Sequence, residues 1–139
     1  QEMEDILNKK SGVYGMSRGV SVDFRDIENE ALAGGTHAQM ALDIYHYLTA
    51  SYVAKCAVAM GGIDVLTFTA GVGEKGPISR KAICDQLEFF GVKIDDEKNK
   101  IRGEEVEISA EDSKVKVYVV PTNEELMIAR GLRDVLSNP

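Results

Sequence analysis

Three short segments carry side chains with chemistry to offer. In Phe68-Thr69-Ala70-Gly71-Val72-Gly73-Glu74, glycines follow a β-rich run. Such a glycine loop after a buried strand admits positive φ and close backbone approach. Successive N–H groups and the next helix start can then face an anion such as a diphosphate. The same segment also suits a plain tight turn, common where strands lead into helices. Its spacing is neither a GxGxxG fingerprint nor a Walker A loop, because Lys75 is followed by Gly76 and Pro77 in place of Ser or Thr. In Asp23-Phe24-Arg25-Asp26 an aromatic ring and a guanidinium sit beside carboxylates. A base can stack on such surfaces and a ribose hydroxyl can bond Asp23, while a solvated turn with a local ion pair explains the same residues. The third segment is Pro121-Thr122-Asn123-Glu124-Glu125. It reads either as a helix cap with acids favoured by the helix dipole, or as a carboxylate holding magnesium or its water at a strand's C-terminal end. His37 and His46 share one helical stretch, too few and too far from other ligand types for a metal site, and read as surface or packing residues.

These segments need a scaffold, and hydrophobic periodicity outlines one. Ile63 to Thr69 is almost continuously apolar and predicts a strand buried on both faces. The glycine loop leads into a helix over Ile78 to Phe90, with Ile83, Leu87 and Phe90 inward and Gly91 as its end. Val115 to Val120 predicts a further strand, closed by Pro121, and the last helix has an apolar face of Leu126, Ile128, Ala129, Leu132 and Leu136. Upstream, Thr36 to Met60 is the strongest helix, with Thr36 at its N-cap position and Gly61-Gly62 as its stop. Ala41, Leu42, Tyr45, Leu48, Tyr52, Val53, Cys56, Ala57 and Met60 recur along it near helical spacing. Glu4 to Ser11 reads as a short helix end, and Gly12 to Gly19 as an irregular, turn-rich stretch. Val92 to Ile94 and Ile101 to Ile108 read as short strands around a charged, hairpin-like excursion. A strand, loop and helix followed by another strand, loop and helix predicts an α/β sheet with ligand-facing loops at strand C-terminal ends.

The whole chain of 139 residues fits one domain with one core. No run approaches the roughly 20 apolar residues of a membrane-spanning helix, so no membrane partner is expected. A formal charge of −7 has the wrong sign for holding nucleic acid by phosphate neutralisation, which excludes that class. Cys56 and Cys84 lack metal-ligand spacing, so neither zinc nor a disulfide framework is expected and the reducing cytoplasm is the expected compartment. The chain opens Gln1-Glu2-Met3-Glu4-Asp5, without an initiator Met or the basic and apolar regions of a signal peptide, and is read as a piece of something longer.

Taken together, Leu7 to Val13, Asp23 to Asp26, Phe68 to Glu74 and Pro121 to Ala129 resemble the acetate kinase family, in the family's order and nearly end to end. The resemblance is to the family's C-terminal part alone. It implies an α/β, RNase H-like half of the sugar kinase, Hsp70 and actin superfamily, with a mixed sheet and flanking helices. Residues 1–139 would then be a single domain, the C-terminal nucleotide-binding half of a longer two-domain kinase. The implied reaction transfers the γ-phosphoryl group of ATP reversibly to acetate, giving acetyl phosphate and ADP. By the same resemblance Asp23, Phe24 and Arg25 lie along the adenosine, Gly71, Val72 and Gly73 form the nucleotide loop, and Glu124 serves Mg2+. Lys75 stands in the nucleotide set where the family usually carries Asn, and Arg18 is an added cation before Asp23. The family's catalytic Arg, acetyl-site His and catalytic Asp lie in the absent half, so no catalytic residue is expected here. Acetate and acetyl phosphate are reached through that half, which also sizes the acyl pocket, so propionate kinase is the alternative. A homodimer is implied, with apolar surface from Thr36 to Met60; a non-catalytic nucleotide-binding or dimerisation module is the alternative from another class.

Overall fold

Side-chain caps at Asp23 and Asn123 and a left-handed glycine at Gly61 set three of the helix boundaries. The computed structural model describes residues 2–137; of the domain expected over 1–139, Gln1, Asn138 and Pro139 lie outside the described residues. Its helices are α1 (Glu2–Lys9), α2 (Gly12–Met16), α3 (Phe24–Leu32), α4 (Thr36–Met60), α5 (Ala70–Lys75), α6 (Pro77–Asp85) and α7 (Glu124–Ser137). Strands β1 (Val65–Phe68), β2 (Val106–Glu107) and β3 (Lys116–Val119) form one sheet in the order β1-β3-β2. Among the described residues no helix is long and apolar enough to cross a membrane.

The sheet is mixed. β1 runs parallel to β3 with Phe68 opposite Val119, and β2 runs antiparallel to β3 with Val106 opposite Val119. Parallel register brings the C-terminal ends of β1 and β3 side by side, so α5 and the segment leading to α7 start from neighbouring points. β3 supplies the centre of the core: Val117 and Val119 are fully buried against Ile83, Leu87, Val92 and Ile108. Both cysteines are free thiols; Cys56 is exposed, whereas Cys84 lies in the core, where burial pushes its thiol up to about 12.

β1 corrects the expectation of a strand buried on both faces. Alternation turns Leu66 and Phe68 toward the core and leaves Val65 and Thr67 exposed, as an edge strand with cover on one face requires. The helix expected over Ile78 to Phe90 stops at Asp85, and a single 3-10 turn at Glu88–Phe90 completes the descent to Gly91, whose φ of +88° ends it. The expected strands around the charged excursion shrink to β2 and to isolated bridges Val92–Val115 and Ile94–Ser109. Asp95 shapes the excursion by accepting from the N–H groups of Glu97 and Lys98 at 2.9 and 3.0 Å.

α4 has the expected bounds, but Gly35, not Thr36, occupies its N-cap; Gly61 at φ +76° closes it. The helix is apolar around much of its circumference. Ala41, Leu42 and Ala57 are buried, whereas Leu48, Tyr52 and Met60 face outward. The Gly12 to Gly19 stretch contains the one-turn helix α2, where an irregular turn was expected. α3 packs on α4 through a second small core of Ile27, Ala38 and Leu42, with Phe24 and Val13 against it. α7 keeps its amphipathic sequence, yet none of its residues is buried and its expected apolar face is exposed.

Candidate functional site: a cavity between two helical segments

A cavity of about 560 Å³ opens between the start of α3 and the α5–α6 junction. Val22, Asp23, Phe24, Arg25 and Glu28 line one side; Gly71, Val72, Lys75 and Gly76 line the other. Its volume falls in the range of small-molecule sites. The two segments are far apart in sequence, and α4 joins them by packing against both α3 and α6.

On the α3 side, one carboxylate organises the wall. Asp23 adopts an extended conformation and accepts from the Arg25 N–H at 2.9 Å, which makes it the N-cap of α3. The Arg25 guanidinium closes on the same carboxylate, with Nη2 to Oδ2 at 2.6 Å and Nε to Oδ1 at 3.1 Å. These bonds, chiefly from the Arg25 side chain, bring the Asp23 carboxyl down to about 2. The local ion pair is therefore present and solvent-exposed, at a helix N-cap that also borders the cavity: Arg25 is exposed at the opening, and Phe24 is braced edge-on against Tyr45 with ring centroids 4.5 Å apart.

On the opposite side the expected glycine loop is the short helix α5. The positive φ expected of its glycines falls instead on Ala70, at +59°. Gly73 is needed for space: a Cβ there would stand 3.2 Å from the Phe68 carbonyl carbon. A Cβ on Gly71 would meet nothing within 4 Å, so its missing side chain leaves the cavity open. Gly73 itself faces away from this cavity and borders a smaller one beneath α5. Lys75 lines the main cavity and makes no ion pair among the described residues.

Glu124 lies apart from the cavity lining, as the exposed first residue of α7. Asn123 performs the capping, accepting from the Leu126 N–H at 3.0 Å. That leaves the Glu124 carboxylate without a hydrogen bond or ion pair among the described residues. No cluster of three or more His, Cys, Asp or Glu suited to a metal exists among the described residues. A single free carboxylate suits Mg2+, which commonly takes one or two carboxylates and completes its shell with phosphate oxygens and water.

Three further residues hold this arrangement, and sequence reasoning missed them. Arg80 is fully buried on α6 and donates to the carbonyls of Gly73, Glu74, Asn99 and Ile101 and to Asn99 Oδ1, at 2.6 to 3.0 Å. Glu74 accepts from both the N–H and the hydroxyl of Thr122, at 2.7 and 2.8 Å, tying α5 to the approach to Glu124. Glu28 reaches the α6 hydroxyl of Ser79. Position next to the glycines was the available signal for Glu74; for Arg80, one cation in an otherwise ordinary helix, there was none.

The small mixed sheet with flanking helices is shared with solved acetate kinases, and that likeness places the fold as an RNase H-like half of the sugar kinase, Hsp70 and actin superfamily. The model of the acetokinase family matches residues 1–130. The chain belongs to that family. It is 59% identical over 138 residues to acetate kinase of Thermotoga petrophila, covering 98% of this chain and 34% of that protein. The solved acetate kinase of Porphyromonas gingivalis superposes with a TM-score of 0.87 at 46% identity, over 96% of this chain and 34% of that one. A propionate kinase of Francisella tularensis superposes at 0.83 with 36% identity, over 92% of this chain and 32% of that one. The chain thus spans about a third of the length of these relatives.

Two measurements check the supporting network. Arg80→Leu strands several buried carbonyls and is expected to lower stability by at least about 3 kcal/mol in urea unfolding. Arg80→Lys is expected to recover little of it, because an ammonium cannot reproduce the guanidinium fork; full recovery would show that charge alone suffices. For Glu74, the Thr122 N–H and hydroxyl hold the carboxyl below its ordinary 4.5 in the folded chain. Its stabilising contribution is therefore complete above pH 4.5 and fades as pH falls toward the depressed folded value. Thermal melts of the parent and of Glu74→Gln should differ most near neutrality and converge in acid; a gap that widens in acid would reverse the assignment.

Proposed function

We propose that this chain is the nucleotide-binding part of an acetate kinase, which transfers the γ-phosphoryl group of ATP reversibly to acetate, giving acetyl phosphate and ADP. The observation that carries the proposal is the meeting of Asp23, Phe24 and Arg25 with Gly71, Val72 and Lys75 around one cavity of about 560 Å³. Phe24 and Val72 offer apolar surface to a base, and the Arg25 guanidinium offers a flat cationic face at the opening. Lys75 adds an unpaired cation for the phosphates. Gly71 keeps the space between the walls clear, and Gly73 seats α5 on the end of β1. Propionate is the alternative acyl acceptor, favoured by the likeness to the Francisella tularensis propionate kinase.

Phosphoryl transfer depends chiefly on positioning and on charge stabilisation. Bound Mg2+ would supply charge that offsets repulsion among the phosphates. Glu124 is the residue that would hold it, and the Glu74–Thr122 hydrogen bonds would keep Glu124 in step with α5. Acetate would be bound by residues outside these 139, so the chain contributes the nucleotide half of the reaction. A cytoplasmic setting suits ATP as the phosphoryl donor and free thiols at Cys56 and Cys84. A second copy of the chain would cover the outward apolar surface of α4, where Tyr47, Leu48 and Tyr52 lie exposed.

Calorimetry with ADP, with and without Mg2+, tests the site. Weak binding that strengthens with Mg2+ is expected, since a cleft open on one side makes only part of its contacts. Successive helix residues point about 100° apart, so Glu124→Gln should abolish the Mg2+ enhancement while Glu125→Gln leaves it. Equal, small effects would reduce both acids to partners of the helix dipole. Sedimentation should show two chains at moderate concentration; a strict monomer at high concentration would remove α4 as the interface.

A further inference from the structure

Glu28 has a role that the nucleotide cavity alone does not explain. It sits one turn beyond Phe24 on α3, half-buried, and lines the cavity. A residue four positions on lies on the same helix face, about 6 Å further along the axis. The Asp23 carboxylate is already spent on the α3 cap and on Arg25. Glu28 has neither use: no Lys or Arg pairs with it among the described residues, and its one side-chain hydrogen bond engages Oε1 alone.

That bond is part of a directed chain. The Ser79 hydroxyl donates its single proton to Glu28 Oε1 at 3.2 Å, so the Ser79 oxygen is free to accept from His46 Nε2–H at 3.0 Å. Ser79 and His46 are both buried, with 1% and 4% exposure. Burial favours the neutral imidazole; because Ser79 gives its one proton to Glu28, the tautomer assigned to complete the chain carries its proton on Nε2. Three helices are tied by these two bonds: α3 through Glu28, α6 through Ser79 and α4 through His46. The result is a carboxylate held by one oxygen, with its other oxygen unpartnered, in the wall of a cavity whose other surfaces are largely apolar.

We propose that Glu28 is a specificity-determining residue of the nucleotide site, its unpartnered oxygen accepting a hydrogen bond from the exocyclic amino group of adenine, with Ser79 and His46 as positioning residues. This rests on the nucleotide reading above. A base lying against Phe24 and Val72 would turn its far edge toward the deeper end of α3, where Glu28 stands, while ribose and phosphates lie toward Arg25 and Lys75. A carboxylate there favours an amino donor over a carbonyl oxygen, which it would repel.

Inosine diphosphate separates the two, because it keeps the ribose, phosphates and fused rings of ADP but carries a carbonyl oxygen in place of the amino group, with the proton at N1 as its remaining donor on that edge. In calorimetry of the 139-residue chain with each nucleotide, the parent should bind ADP about tenfold more tightly than IDP. Glu28→Ala should weaken ADP and bring the ratio close to one, whereas Glu28→Gln, which keeps a carbonyl acceptor, should retain part of the preference. Ser79→Ala should lower the ratio without removing it, by freeing Glu28 to move. A Glu28→Ala chain that weakens both nucleotides equally, or keeps the parent ratio, would overturn the proposal, as would a parent that binds both alike. A parent that binds neither would overturn the nucleotide reading and this inference together.

Discussion

A guanidinium that is buried without a carboxylate partner among the described residues holds the site together. Taking the Arg80 cation out of water is costly, and the chain offsets that cost with carbonyl dipoles in place of a counterion. The Gly73 and Glu74 carbonyls belong to the last turn of α5, where the negative end of the helix dipole favours a cation. The Asn99 and Ile101 carbonyls come from the charged excursion, and Asn99 donates in turn to the Pro77 carbonyl at the start of α6. One side chain thereby fixes the underside of α5, the first turn of α6 and the loop around residues 99–101. The upper side of α5, with Gly71 and Val72, is left to face the cavity from a backbone that has little freedom to shift.

From that anchor the order propagates outward through hydrogen bonds of known direction. Glu74, next to the carbonyls that Arg80 holds, carries α5 to Thr122 and so to the turn that presents Glu124. Ser79, next to Arg80 in sequence, carries α6 to Glu28 and to His46. Parallel pairing of β1 with β3 makes the first connection short, because Phe68 and Val119 end opposite one another. Sheet register and a buried cation thus act on the same few residues, the first by bringing two strand ends together and the second by stiffening what leaves one of them.

What could be read from the residues follows the range of the forces involved. The limits of α4 were legible because glycines on either side stop it locally, and β3 was legible from its run of β-branched residues. α5 was not, since two glycines in six residues disfavour a helix and it is Arg80, distant in the fold's logic from any local pattern, that supports one. The exposed face of β1, with Val65 and Thr67, depends on what packs on either side of the sheet, which no strand propensity reports. At the site, Asp23 to Arg25 and Gly71 to Lys75 were each recognisable as segments, yet their own spacing left ion pair and tight turn open. Their partnership came from the family resemblance. Glu28, Glu74 and Arg80 escaped because an isolated charged residue in a helix reads as solvent-facing until its burial is known.

The junction after β1 shows why glycine there is a matter of volume more than of backbone freedom. A left-handed residue is required at the elbow, and the chain places Ala70 in it at φ +59°, accepting a strain of about 1 kcal/mol that glycine would have avoided. Gly71 and Gly73 take ordinary helical φ, where any residue would be at ease. What they lack is a side chain. At Gly73 a Cβ would stand 3.2 Å from the Phe68 carbonyl carbon, so α5 or the strand end would have to give by a few tenths of an ångström. At Gly71 a Cβ would clash with nothing in the folded chain, yet it would project into the cavity opposite Phe24 and Arg25. The two glycines therefore answer to different constraints: Gly73 to the packing of α5 on β1, and Gly71 to the space a ligand would fill. Folding of the chain alone gives a reason for the first and none for the second.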